Sequence, residues 1–308
     1  MFRSFTCLAI VICGAAFPLR AQQSDSTLLE SDFEELLSLE DSLSIFNLID
    51  SLIQLEASNS SQLAVRLSYT SNAASANRSL GISQFGLSPG ISYYHKSGAY
   101  LDVSGYWSTE YDPKYYLTVL SGGYIGAITH WWSFLGEYSR YLYSNLGDSV
   151  VISYKNSIGV SNFFDVKPLT FRLDYTLLFG EKTGHRILPG VMLNLEKRNW
   201  GKLDRVLFYP SFNLLLGQES YYVLQSYPPI QAAIRERFGL PTTYETEARG
   251  FGVMNYSFSA PLSVSVKNWN FLLSYTFNIP KALPEEETFL SNSGFISASI
   301  TKYLRFKK

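Results

Sequence analysis

From Gln62 onward the chain alternates apolar and polar residues with a period of two, the repeat of a strand whose two faces meet different surroundings. Between Leu169 and Gly180, the residues Leu169, Phe171, Leu173, Tyr175, Leu177 and Phe179 alternate with Thr170, Arg172, Asp174 and Thr176. Val206, Phe208, Phe212, Leu214 and Leu216 stand in the same way against Arg205, Tyr209, Ser211 and Asn213, as do Phe271, Leu273, Tyr275, Phe277 and Ile279 against Asn270, Ser274, Thr276 and Asn278. Segments 62–71, 99–107 and 187–197 repeat the pattern more loosely. Each run is about ten residues long, enough for a tilted strand to cross a bilayer.

Short and long connections separate these runs. Lys96 to Gly98, Ala127 to His130, Asp165 to Pro168, Lys197 to Asp204 and Lys267 to Asn270 read as turns on one side. Ala74 to Phe85, Ser108 to Lys114, Ser144 to Ser149, Glu181 to Arg186, Gln218 to Arg249 and Lys281 to Asn292 read as loops on the other. The alternation predicts about twelve strands, with about ten to fourteen fitting the same length arithmetic. An even number returns the C-terminus to the short-turn side.

Before Gln62 the period changes. Leu29, Leu36, Leu39, Leu43, Phe46, Ile49 and Ile53 recur every three, four or seven residues, and Ser31 with Glu34 forms a capping box, so an amphipathic helix is predicted over about residues 32–55. Residues 1–21 read as a secretory signal, with Arg3 in its positive region, an apolar stretch from Cys7 to Phe17 and a cleavage site at Leu19-Arg20-Ala21. The predicted organisation is therefore a signal (1–21), an acidic helix and linker (22–61), and a β-body (62–308).

Composition sharpens this picture. Aromatic residues make up 16% of the chain and charged residues only 17%, below the roughly 25% of an average soluble domain. The net charge of −1 conceals a division: residues 22–65 hold nine acidic residues and no Lys or Arg, whereas residues 66–308 hold 23 basic and 17 acidic residues, a net of +6. No polybasic tract points to nucleic acid. Both cysteines, Cys7 and Cys13, fall within the signal, so the exported chain is expected to carry no disulfide, thiol nucleophile or Cys-ligated metal. The uncharged stretch Tyr115 to Gly136 has the length of a membrane helix, but its four glycines and its hydroxyls favour two strands joined by a turn.

Alternation also occurs in soluble sandwiches, whose outward faces are polar. Here the polar faces carry small hydroxyls and isolated charges, and the apolar faces are large and aromatic. A lipid-facing exterior with a polar lumen accounts for that inversion. Aromatic clusters at Tyr93-Tyr94, Tyr106-Trp107, Tyr115-Tyr116, Trp131-Trp132 and Tyr141 with Tyr143 fit interfacial girdles.

With these features the chain resembles bacterial outer-membrane β-barrel proteins, and its final segment from Gly294 to Phe306 is similar to their terminal assembly signal, with Ile296, Ala298, Ile300, Leu304 and Phe306 in one register and Lys302 departing from it. The resemblance implies an all-β, transmembrane, antiparallel up-and-down barrel inserted by the outer-membrane assembly machinery. It implies contact with outer-membrane lipid, and a periplasmic location for the N-terminal helix and the C-terminus.

The candidate site is the lumen. Arg66, Asp102, Glu137, Lys155, Arg172, Asp174, Glu196 and Arg205 fall on the inward register, in mixed sign, while Arg140 falls on the lipid register. These charges suit either a neutralised network filling a narrow barrel or a polar pore that selects solutes. The long connection from Gln218 to Arg249 contains a short helical pattern that would place Arg235 and Arg237 at the outer mouth. The histidines His95, His130 and His185 show no metal spacing, and Ser299 with Lys302 matches an acylating-enzyme pattern only on a helix. No cofactor and no metal are expected. A narrow porin-like channel for small polar solutes ranks first, a non-conducting scaffold binding a periplasmic partner through the acidic helix second, and a membrane enzyme third.

Overall fold

The computed structural model describes residues 60–71, 86–108, 114–144, 154–283 and 290–306, with the side chains of 219–224, 245, 247 and 248 outside the description. The predicted signal and acidic helix lie outside the described residues, as do the connections 72–85, 109–113 and 145–153.

Fifteen strands form one antiparallel sheet: β1 (Gln62–Thr70), β2 (Gly86–Tyr94), β3 (Ala99–Ser108), β4 (Tyr115–Thr129), β5 (Trp132–Tyr143), β6 (Tyr154–Val166), β7 (Leu169–Gly180), β8 (Thr183–Leu193), β9 (Leu195–Trp200), β10 (Leu203–Phe208), β11 (Ser211–Ser226), β12 (Thr243–Ser259), β13 (Leu262–Val266), β14 (Trp269–Pro280) and β15 (Ser293–Arg305). One helix, α1 (Pro229–Arg237), lies between β11 and β12. β1 pairs with both β2 and β15, so the sheet closes on itself, Gln62 standing opposite Tyr94 on one side and Arg305 on the other.

The ring contains twelve strands, because three of them are interrupted. β8 runs on into β9 past Asn194, β10 into β11 past Tyr209-Pro210, and β12 into β13 past Ala260-Pro261. Proline has no N–H to donate, so a ladder breaks where it falls. The two proline breaks adjoin: the Tyr209 N–H donates to the Pro261 carbonyl at 3.1 Å and the Leu193 N–H to the Pro210 carbonyl at 3.0 Å. Twelve-strand closure and the all-β architecture agree with the sequence expectation.

Several boundaries differ. Glu181 to Arg186 is no loop: β7 and β8 are joined through Glu181-Lys182 alone, which places His185 on a strand. The connection expected from Gln218 to Arg249 is mostly strand, since β11 and β12 pair from Ser211↔Ser259 out to Ser226↔Thr243. β11 leaves β8 after Gly217 and β12 leaves β14 before Asn255, so their outer parts pair only with each other and carry α1 at the tip. At the opposite end, β9 and β10 form a smaller projection around Gly201 (φ +66°), in place of the connection expected from Lys197 to Asp204. Among the described residues β9 pairs only with β10.

The wall has the alternation that the sequence shows. On the outer face Leu67, Ile91, Leu101, Val103, Phe171 and Leu273 are exposed, Leu101 by 64%. Exposed aliphatic and aromatic residues around a closed strand ring form a surface suited to hydrocarbon, and closure leaves no unpaired edge inside the bilayer. The molecule is an outer-membrane-type barrel. Lys302, the departure within the terminal strand, faces outward with its ammonium 4.5 Å from the Trp269 ring centroid near the short-turn end, where a long basic side chain can reach the interface.

Candidate functional site in the barrel lumen

Inward positions are polar and small through the middle of the wall. Ser92, Ser104, Ser139, Ser161, Ser274, Ser297 and Ser299 are buried, together with Asn213, Asn255, Asn270 and Asn278. They bond across strands: Asn255 donates to Asn278 at 3.0 Å, Asn270 to Ser263 at 2.9 Å, and Ser259 meets Thr276 at 3.0 Å. Buried amides and hydroxyls carry little cost when paired in this way.

Within this wall the predicted charges form pairs. On β1 the Arg66 guanidinium lies 3.4 Å from Asp102 of β3 and donates to Ser104 at 2.8 Å. Asp102 also accepts from Ser92 at 2.5 Å and from Ser104 at 2.7 Å. Gly90 provides the space, since a Cβ there would stand 2.9 Å from both the Arg66 guanidinium and the Ser104 hydroxyl. Glu137 of β5 accepts from the Tyr100 hydroxyl and from Ser139 at 3.1 Å, and Ser139 in turn meets Ser121 at 2.7 Å. Arg172 and Asp174, two apart on β7, form a buried ion pair, with the guanidinium 6.0 Å from the Phe163 ring. Arg186 of β8 is buried on the same face. Arg66, Arg172 and Arg186 balance Asp102, Glu137 and Asp174, so the mid-wall is neutral.

The remaining predicted residues lie toward the ends. Lys155 does not face the lumen: a register shift between Tyr154 and Asn156 turns it out, half-exposed, to Glu181 at 2.9 Å. Glu196 and Arg205 keep the inward register toward the short-turn end, Glu196 on β9 and Arg205 buried on β10 opposite Ser265 of β13, and Glu196 meets Arg198 at 2.6 Å and Arg205 at 3.7 Å. Arg140 faces outward, as its register predicts. Arg235 is held at the tip of the other projection, donating to the Pro241 carbonyl at 2.7 Å and lying 4.2 Å from the Tyr227 ring. Arg237 ends the adjacent helix, exposed.

Inward apolar residues, which alternation alone does not reveal, gather toward both ends. Tyr116, Leu117, Val119, Tyr141, Tyr154 and Leu178 form a cluster at the long-loop end. Ala64, Tyr94, Tyr100, Ile125, Leu135 and Tyr303 form one at the short-turn end, beside a third made of Phe163, Met192, Leu207, Tyr209 and Leu272. The inner wall therefore carries a polar belt between tyrosine-rich clusters at its two ends.

No family model matches the chain and no curated protein does. Among solved structures it is similar to the KdgM porin (10% identity over 78% of this chain and 98% of that one, TM-score 0.43). It is also similar to the NanC porin (13%, 80% and 100%, TM-score 0.39) and to the translocator domain of the autotransporter NalP from Neisseria meningitidis (12%, 92% and 100%, TM-score 0.45).

His185 bonds Tyr175 at 2.9 Å on the outer face, and His95 bonds Ser97 at 2.8 Å in a turn. Ser299 is buried inward while Lys302 lies outward on Trp269, so that pair does not share a face. Among the described residues no group of three His, Cys, Asp or Glu could hold a metal ion.

Proposed function

We propose that this barrel is a narrow outer-membrane channel for small polar solutes, with both chain ends on the periplasmic side. One observation carries the proposal: the mid-wall is lined by small hydroxyls and amides with its charges balanced in number, two of them as ion pairs, while the same strands turn aliphatic and aromatic side chains outward. A barrel that only anchored a partner could be filled with apolar side chains. A polar wall is what water and hydrated solutes require. Twelve strands lie between the eight that side chains fill and the sixteen that leave open water. The tyrosine-rich clusters at the two ends support a bore that limits the size of what passes, and the balanced belt favours no strong charge selection.

The test is conductance of the purified chain in planar bilayers at about 1 M salt, where rim charges are screened. Discrete steps of small, uniform size are expected. Silence at every voltage overturns the proposal.

A further inference from the structure

Arg140 is an exposed guanidinium on the outward face of β5, set among side chains that face hydrocarbon. Leu120 stands opposite it on β4, and Tyr138, Leu142 and Ile158 are its outward neighbours, all four of them 38–47% exposed. Among the described residues no carboxylate pairs with Arg140. Its depth follows from the strand. β5 begins at Trp132, which stacks with Trp131 and Phe164 in the short-turn girdle. Arg140 is eight residues further on. At about 3.4 Å per residue and a tilt of about 40°, it stands about 21 Å from that girdle, in a band about 25 Å tall. The guanidinium therefore lies just inside the far border, where a long side chain can carry its charge to the headgroups.

A second cation is turned to meet it. Strict alternation through β6 would set Lys155 inward with Ser157 and Ser161, but the register shift between Tyr154 and Asn156 turns it outward. Irregularities of this kind re-aim a side chain. Asn156 stands directly opposite Arg140 across the strand pair, so Arg140, Asn156 and Lys155 form one outward group on β5 and β6. The Asn156 carbonyl accepts from the Tyr138 hydroxyl at 2.8 Å, which leaves its amide N–H groups to donate. Lys155 shares its charge with Glu181 at 2.9 Å, so the group keeps one unbalanced positive charge among the described residues.

We propose that Arg140, Asn156 and Lys155 bind the phosphate group of a membrane lipid at the long-loop border of the barrel. Three adjacent donors, two of them cationic, suit an anion with several acceptor oxygens: the guanidinium forks onto two of them, and the amide and the ammonium reach the others. The depth selects a lipid over free phosphate. Leu120, Leu142 and Ile158 flank the donors, so a phosphate carried on acyl chains gains apolar contacts that an inorganic ion cannot make. An unbalanced cation at this position is also best matched by an anion that belongs to the interface itself. The site goes beyond the channel reading and rests on it only for the leaflet: with both chain ends periplasmic, the long-loop border is the outer one.

The experiment uses the full exported chain in micelles that offer phosphatidic acid and phosphatidylcholine of the same chain length in equal amounts, and native mass spectrometry counts the lipid retained. The wild type is expected to keep phosphatidic acid in preference to phosphatidylcholine. Arg140→Leu and Lys155→Gln are each expected to weaken that retention about tenfold, the worth of one charged hydrogen bond. Both changes lie on the outer face, and heat-dependent gel mobility verifies that each variant closes. Lys302→Gln, which removes the outward cation beside Trp269 at the opposite end, is expected to change nothing. Equal retention of the two lipids by the wild type, unchanged retention in Arg140→Leu, or an equal loss in Lys302→Gln overturns the site. Displacement of the lipid by excess inorganic phosphate would assign the site to the free ion and overturn the lipid. No current is read, so a barrel silent in planar bilayers overturns the channel reading and leaves this site standing.

Discussion

Leu273 and Ser274 are neighbours on β14, yet Leu273 is 48% exposed and Ser274 is 1% exposed. In a water-soluble protein the ordering would be reversed. The inversion repeats along the strand except at inward Leu272: Phe271, Leu273 and Tyr275 face out, and Asn270, Ser274 and Thr276 face in. The outer face is held in place by what it is immersed in, since a large exposed apolar surface is stable only against hydrocarbon. The inner face is held together by ion pairs and hydrogen bonds between strands, among them Arg66 with Asp102 and Asn255 with Asn278. One face therefore tolerates changes of shape and the other tolerates changes that keep pairs intact.

The largest expected effect breaks a pair on the inner face. Arg66→Ala leaves Asp102 buried without its cation and is expected to cost about 3–5 kcal/mol. In denaturant unfolding from lipid vesicles the double variant Arg66→Leu/Asp102→Leu should lose less than Arg66→Ala alone; a larger loss would mean that the pair is not the unit of stability. Next, Leu273→Arg places a charge on the hydrocarbon side near the strand middle, at about 2–4 kcal/mol. If unfolding midpoints in bilayers and in water-rich micelles showed the same small change, the outer face would not be lipid-facing. The smallest effect is Ser274→Ala, whose buried hydroxyl makes no hydrogen bond, so stability should stay within about 0.5 kcal/mol of the parent. A loss above that would reveal an inner-wall contact at Ser274.

These contrasts also explain which parts could be read from the sequence. The burial of Arg172 and Asp174 follows from strict alternation running unbroken through β7. At Lys155 alternation misleads, because the irregularity at Tyr154/Asn156 inserts one residue, and one residue exchanges the faces of everything beyond it. The outer half of β11 resembles loop in sequence because its apolar residues Tyr221 to Leu224 are consecutive rather than alternating. Inward Leu178, Met192 and Leu272 are hidden in the sequence for another reason: in the apolar clusters both faces of the wall are apolar, and alternation disappears. The pairing of Arg66 with Asp102 and of Tyr100 with Glu137 depends on the stagger between strands, which no single strand records. Arg186, hidden in the stretch expected as loop, was recoverable only from that stagger.

The most direct test of a passage through the polar wall substitutes the same bulky side chain on either side of it. Single-channel steps of Ser274→Trp and Leu273→Trp are compared with those of the parent in planar bilayers at about 1 M salt. The account predicts that the inward tryptophan lowers the step size while the outward one leaves it unchanged. Equal steps in all three proteins, or no steps in any, would contradict it.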